Sequence, residues 1–209
     1  MHAGFPQVAP GVFRTLHSGM QSDIYLKGIL AQTGGHLVAE GLALALHLGF
    51  GVILRNGLLD EAQSRRAAAF FADNFEITDP LVPGGKRYYQ GRFLIRTRRA
   101  GDDMNVLLEF CPDPDKLYLN MPWGQCLDPL AVVRTRAMNE SEAENLTREV
   151  DLVISFKDAE TILGLIGQPN VDIVGLLLKN LVQLTGNVGH LFKLGAIGAD
   201  VQRMLAPPQ

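Results

Sequence analysis

The spacing of apolar residues changes partway along the chain, from a helical period to an alternation of apolar and polar positions. From Ile24 to Asn74 the apolar residues recur at helical spacing, with breaks at glycines. Asp60 can cap the last of these helices, whose run of alanines favours a helix strongly. We therefore predict an N-terminal arm and helical extension over residues 1–59, followed by a second domain over residues 60–209.

Beyond the proline and glycine cluster at 79–85, several short segments have a period of two, which is typical of strands with one apolar face. These segments are Arg92–Thr97, Met104–Phe110, Lys116–Met121 and Val150–Phe156. Tight turns separate the first three, so they predict an antiparallel meander. The stretch from Pro122 to Arg148 is charged in its second half and predicts a loop and a helix.

The segment from Val150 to Leu205 is mostly apolar and carries few chemically active side chains. Phe156-Lys157-Asp158 leads from a strand into an apolar helix, and a second apolar segment, 171–178, leads into a short strand at 181–184. Thr185-Gly186-Asn187 then breaks that strand into a final amphipathic helix. This layout is typical of a protein that encloses an apolar molecule rather than one that transforms it.

This order of elements resembles the sterol carrier protein 2 family of lipid-binding domains over roughly residues 61–205. The most specific matches are Ile154–Asp158 with the helix behind it, and Leu184–Gly189 followed by Lys193-Leu194. The chain departs from the family at Lys179-Asn180, where a Gly-Lys pair is usual. Residues 122–148 are an insertion relative to the family, and the helical region before Asp60 is extra.

The resemblance implies an α+β fold, with a five-stranded, largely antiparallel sheet covered by helices on one face and an extra N-terminal helical segment. It also implies a non-enzymatic protein without a cofactor, which holds a sterol, fatty acid, fatty acyl-CoA or phospholipid in an apolar tunnel. The candidate lining residues are Phe93, Ile95, Val106, Leu108, Phe110, Leu117, Leu119, Ile154, Phe156, Ile162, Leu165, Leu176, Leu177, Leu191 and Phe192. Each of these positions also fits an ordinary core residue.

A basic stripe between Lys86 and Arg99 supplies candidates for contact with a lipid headgroup, and we select Arg92 and Arg96. The alternative is a solvated strand that is kept charged against aggregation. The net charge of −3 gives no general attraction for nucleic acid. The expected partner is a lipid or another long apolar molecule, with a peripheral membrane contact and a homodimer as further options.

The segment Leu37–Leu54 is almost continuously apolar and approaches the roughly 20 residues that cross a bilayer. Glu40 and His47 lie inside it, and a charge at that depth is costly, so a buried or interface helix is favoured over a span. The first ten residues lack the pattern of a signal peptide. We therefore expect a cytoplasmic protein with reduced cysteines.

Candidate catalytic and metal-binding groups are sparse in the sequence. The five histidines are scattered, and only His36 and Glu40 share a helical spacing, so no metal site is predicted. Catalytic motifs such as GxSxG and HExxH do not occur in the sequence, which argues against an enzyme. The alternative function is an accessory or scaffold protein that acts through dimerisation in a membrane-associated complex for lipid or quinone biosynthesis.

Overall fold

A mixed five-stranded sheet forms the centre of the fold in the computed structural model, which describes residues 35–165 and 172–205. The strands are β1 (Glu76–Thr78), β2 (Lys86–Tyr88), β3 (Gly91–Thr97), β4 (Asn105–Phe110), β5 (Tyr118–Met121), β6 (Gly124–Leu127), β7 (Val133–Met138), β8 (Leu152–Phe156) and β9 (Val182–Gly186). The helices are α1 (Gly35–Asn56), α2 (Glu61–Phe75), α3 (Pro129–Val132), α4 (Glu140–Leu146), α5 (Ala159–Leu165), α6 (Ile173–Leu178) and α7 (Gly189–Leu205), with a 3₁₀ turn at Pro114–Lys116. The predicted α+β class with a five-stranded sheet is confirmed.

The central sheet has the strand order β7-β4-β3-β8-β9. Strand β8 runs parallel to β3, and the other neighbouring pairs are antiparallel. The remaining strands form two separate hairpins, β1-β2 and β5-β6. A parallel pair requires a long crossover, and here the chain from β4 to α4 lies between β3 and β8.

The predicted meander is wrong in its third strand. The segment 116–121 does not enter the central sheet, because its strand β5 pairs with β6 in a separate hairpin. The place beside β4 is taken by β7, which lies in the stretch that we expected to be a loop and a helix. Leu117 is buried in the core, whereas Leu119 is exposed on the hairpin.

One face of the sheet carries the apolar side chains that alternation predicted. Phe93 lies opposite Leu108 and Leu152, and Ile95 lies opposite Val106 and Ile154, so these side chains share a face. All six belong to the main hydrophobic cluster, and all are buried. This face is covered by α1, α2, α5 and α7, which contribute buried residues to the same cluster.

The opposite face of the sheet is also covered in part. Leu94, Leu107 and Val153 alternate with the residues of the main core and pack with Ala143 of the short helix α4. A capping box fixes the start of α4, since Asn139 and Glu142 exchange side-chain to backbone hydrogen bonds. The sheet therefore buries apolar side chains on both faces, with the larger cluster on one face and a smaller cluster on the other. The sequence pattern predicted only one apolar face.

Helix α1 is an integral part of the main core. It packs on β7 and β4 and touches α2 and α7, with Ala39 and Leu54 fully buried. From His36 to Asn56 it is long and apolar enough to cross a bilayer, with mean hydropathy 2.0, and 28% of this stretch is buried inside the fold. The arm at 1–20 and the predicted helix start at Ile24 lie outside the described residues. The predicted boundary at residue 60 remains a prediction.

Candidate ligand pocket

An apolar pocket of about 250 Å³ lies between the central sheet and the helices α1, α5, α6 and α7. It is lined by Leu42, Leu46, Ile95, Ile154, Phe156, Ile162, Leu165, Ile173, Val182, Leu184, Leu191 and Leu194. Every lining residue is aliphatic except Phe156, and none carries a polar group on its side chain. A partly open pocket with this lining accepts a hydrocarbon group, but its side chains offer no hydrogen bond to a polar one.

Six of the residues predicted to line a tunnel do line this pocket, namely Ile95, Ile154, Phe156, Ile162, Leu165 and Leu191. Four more, Phe93, Val106, Leu108 and Phe110, are buried in the core beneath the sheet's covered face, as is Leu117. Leu176 is partly buried against the core. Leu119, Leu177 and Phe192 are exposed at the surface, which places them away from the lining.

Sequence reasoning missed six lining residues, and they come from three parts of the fold. Leu42 and Leu46 belong to α1, which we assigned to a separate N-terminal extension. Val182 and Leu184 belong to the edge strand β9, whose alternation of apolar and polar residues was a usable signal. Ile173 and Leu194 lie on α6 and α7, two apolar helices from which we selected other residues as lining candidates.

The turn at Thr185-Gly186-Asn187 sets the position of α7 over the sheet. Gly186 has φ of +117°, a conformation that favours glycine, and a Cβ there would collide with the backbone carbonyl of Asp151. The backbone N–H of Asn187 donates to the same carbonyl, at 2.9 Å. The Asn187 side chain accepts from the N–H of Gly189, at 2.9 Å, so it caps the first turn of α7.

A tyrosine and a histidine join the first turn of α7 to the sheet side of the core. The hydroxyl of Tyr89 and Nδ1 of His190 form a hydrogen bond of 2.8 Å, and the two rings lie 5.6 Å apart. Nε2 of His190 lies 4.0 Å from a carboxylate oxygen of Asp151. Desolvation and the charge of Asp151 raise the pKa of Tyr89 to about 12, so its hydroxyl stays protonated at neutral pH. The His190 side chain is 18% exposed, so it is partly buried at the start of α7.

The two arginines predicted to meet a headgroup lie away from the pocket. Arg92 and Arg96 flank Leu94 on the second face of the sheet, while Ile95 faces the pocket. Nε of Arg92 lies 3.1 Å from Glu109, and Arg96 is paired with Glu140. The carboxylates of Glu109 and Glu140 neutralise the positive charges of the two arginines.

The cysteines and the potential metal ligands among the described residues do not form a reactive site. Burial raises the pKa of the Cys111 thiol to about 12, so it is protonated and unreactive at neutral pH. Cys126 is also buried, with its sulfur 3.2 Å from the hydroxyl of Ser64. Within residues 35–165 and 172–205, no three histidine, cysteine or carboxylate side chains lie together as metal ligands would.

The comparisons with known proteins give no relative from which to transfer a function. No family model, no curated protein and no solved structure matches the chain. The resemblance to sterol carrier domains therefore remains a prediction from the sequence.

Proposed function

We propose that the protein binds the hydrocarbon part of a lipid in the pocket between its sheet and its helices. The observation that carries this proposal is a cavity of about 250 Å³ whose lining includes no polar side chain. The pocket is partly open, so its apolar lining meets water when no ligand is bound, which is unfavourable. Occupation by an apolar chain removes both the lining and the chain from water.

The size of the cavity indicates which part of a lipid it takes. Pockets for drug-sized molecules usually enclose about 300–1,000 Å³, so this one suits a short acyl chain or the end of a longer one. Each buried methylene contributes about 0.8 kcal/mol, and ten of them would give about 8 kcal/mol before the costs of binding. That sum corresponds to dissociation constants in the micromolar range or weaker.

The direct test is to identify and then replace the bound molecule. Lipids extracted from the purified protein and analysed by mass spectrometry should include molecules with an acyl or prenyl chain. The delipidated protein should then bind a fluorescent fatty acid at one site, and an unlabelled fatty acid should displace it. A protein that carries no lipid and takes up no probe would exclude this function.

A pocket-filling variant tests the site itself. Leu184→Trp places a large ring at the pocket wall and should weaken probe binding about tenfold or more, because it occupies the volume of several methylenes. The matched control is Leu119→Trp on the β5-β6 hairpin, where the side chain is exposed and distant from the lining. The control should bind as the parent does. If the parent, Leu184→Trp and Leu119→Trp bind the probe with equal affinity, the probe does not bind in this pocket.

A second candidate function rests on the outer side of α1. Leu37 and Leu44 are exposed on this helix, and Leu130 of the neighbouring helix α3 is exposed and lines the same groove as Leu44. Such a face suits an accessory protein that dimerises or assembles with a lipid or quinone biosynthetic complex. Light scattering at increasing concentration tests it: Leu37→Ser/Leu44→Ser should abolish self-association while leaving fatty acid binding unchanged.

A further inference from the structure

The two helices that border the pocket also present large apolar side chains to solvent. Ile173 of α6 and Leu191 of α7 line the pocket, whereas the next residue of each helix points outward. Val174 is 66% exposed and Phe192 is 75% exposed. Leu178, one turn beyond Val174 on α6, is 83% exposed. Apolar side chains this exposed contribute little to the core, and both helices that carry them line the same pocket, which favours an interaction surface there.

A cationic groove of about 610 Å³ continues this surface beyond the end of α6. It is lined by Arg98, Arg99, Lys157, Lys179 and a single carboxylate, Asp158, together with Asn180 and Leu181. Lys179 follows Leu178 directly in the chain, so the apolar side of α6 and the groove are contiguous. Four cations and one carboxylate line the groove, and Asp102 lies 4.0 Å from Arg99, so the region keeps a positive charge in a chain whose net charge is −3.

The lysines of the groove are available to an external anion. Within the described part of the chain, neither Lys157 nor Lys179 forms a salt bridge or a side-chain hydrogen bond, and both are exposed. The guanidinium of Arg98 donates to the backbone carbonyl of Asn180, at 2.5 Å, which holds this arginine at the groove wall. The Asp158 carboxylate accepts from the N–H and hydroxyl of Thr161, and these bonds lower its pKa and keep it engaged at the start of α5.

We propose that Val174, Leu178 and Phe192, together with Lys157 and Lys179, form a docking face for an anionic lipid bilayer. Exposed aliphatic and aromatic side chains enter the boundary between headgroups and acyl chains, while neighbouring ammonium groups meet the lipid phosphates. The face lies at the edge of the apolar pocket, so a chain leaving the bilayer has a short path into it. The inference rests on the proposed function only for the lipid that would pass between bilayer and pocket. Docking itself does not require an occupied pocket.

Sedimentation with lipid vesicles tests the docking face. The protein should bind phosphatidylcholine vesicles only when they also contain phosphatidylglycerol, and salt should weaken the binding. Lys157→Gln/Lys179→Gln should bind about 30-fold more weakly, since each cation near an anionic surface contributes roughly a fivefold gain. Val174→Ser/Leu178→Ser should bind about tenfold more weakly, because two buried aliphatic groups are lost.

Matched controls separate the docking face from general surface effects. Arg66→Gln/Arg148→Gln removes two other exposed cations that form no salt bridge among the described residues, and Leu81→Ser removes an exposed leucine from the loop between β1 and β2. Both should bind vesicles as the parent does. Equal losses in the controls, equal binding to vesicles with and without phosphatidylglycerol, or no vesicle binding would each overturn the proposal, the last leaving an acidic protein as the partner to seek.

Fatty acid uptake measured on the same proteins keeps the two proposals apart. The lysine variant should take up a fluorescent fatty acid from solution like the parent, because its changes lie outside the pocket. Leu184→Trp should lose uptake and still bind vesicles. If the parent binds vesicles but takes up no fatty acid, the proposed function fails while the docking face stands.

Discussion

Gly186 shows how a single residue determines where the last helix lies. Its positive φ turns the chain out of β9, and its missing Cβ leaves room for the carbonyl of Asp151. The neighbouring Asn187 both binds that carbonyl and caps α7. Two different requirements, backbone conformation and space, therefore coincide at one position.

Gly186→Ala should lower the free energy of unfolding by about 2–4 kcal/mol, since strain at positive φ adds to a collision with backbone atoms. Gly84→Ala is the control, because Gly84 also has positive φ but has open space around it. The control should lose about 1 kcal/mol from the strain alone. Urea unfolding of both variants measures the difference, and equal losses would show that the collision is relieved by a backbone shift.

Because the pKa of Tyr89 is raised, the stability of the fold should depend on pH in the alkaline range. Tyr89 keeps its hydroxyl proton up to about pH 12 in the folded protein and loses it near pH 10 in the unfolded chain. Its contribution to the free energy of unfolding is therefore complete below pH 10 and falls as the pH rises to 12. Burial raises the pKa values of Cys111 and Tyr118 as well, and both act in the same direction. Stability should therefore decline above about pH 9.

Tyr89→Phe isolates the tyrosine's share of that decline. The variant should lose about 1 kcal/mol at neutral pH with the hydrogen bond to His190, and its stability should fall less steeply between pH 10 and 12. Chemical unfolding followed by circular dichroism at several pH values measures both effects. An unchanged slope in the variant would mean that Cys111 and Tyr118 account for the whole alkaline dependence.

At the scale of elements, α1 has two dissimilar sides. Leu54 is fully buried against the main core, whereas Leu44 on the same helix is 58% exposed. Leu54→Ala should lower the free energy of unfolding by about 2–5 kcal/mol through lost contacts and a residual cavity. Leu44→Ala should change it by less than about 0.5 kcal/mol. If thermal unfolding shows equally small effects for both, α1 does not belong to the cooperative core.

Local alternation predicts the strands of this fold better than their partners. Strands β3, β4 and β8 were expected within a few residues of their observed ends, because Phe93, Val106 and Ile154 mark one apolar face in each. Strand β5 also alternates, yet it pairs with β6 across a short turn. β5 lies outside the central sheet because β7 occupies the place beside β4. The choice between these two strands depends on tertiary packing, which the local pattern does not show.

Strand β7 could have been found from the sequence. Val133, Thr135 and Ala137 alternate with two arginines, and this alternation is that of an edge strand with one wet side. Thr135 donates its hydroxyl proton to the carbonyl of Ala43, at 2.7 Å, which ties this strand to α1. The arginines dominated our interpretation of the stretch as a loop and helix, although charged residues are common on the exposed side of an edge strand.

At the scale of the whole molecule, the pocket is a long-range assembly. Its walls come from α1 near one end of the chain, from β3 in the middle and from the elements after β8. The sequence identified the middle and the C-terminal parts of the lining, because period-two and helical patterns place those residues on inner faces. It did not place Leu42 and Leu46, because no local pattern says which sheet face a distant helix will cover.

The position of α1 also has a consequence for synthesis. The helix leaves the ribosome well before β7 and α7, the elements it packs on, have been made. At ~5–20 residues per second, roughly 7 to 30 s separate the appearance of α1 from that of the end of α7. During that interval a helix of mean hydropathy 2.0 can pack only on the part of its core that has been made, first α2 and later β4. The nascent chain should therefore depend on a holding chaperone more strongly than the finished protein's stability would suggest.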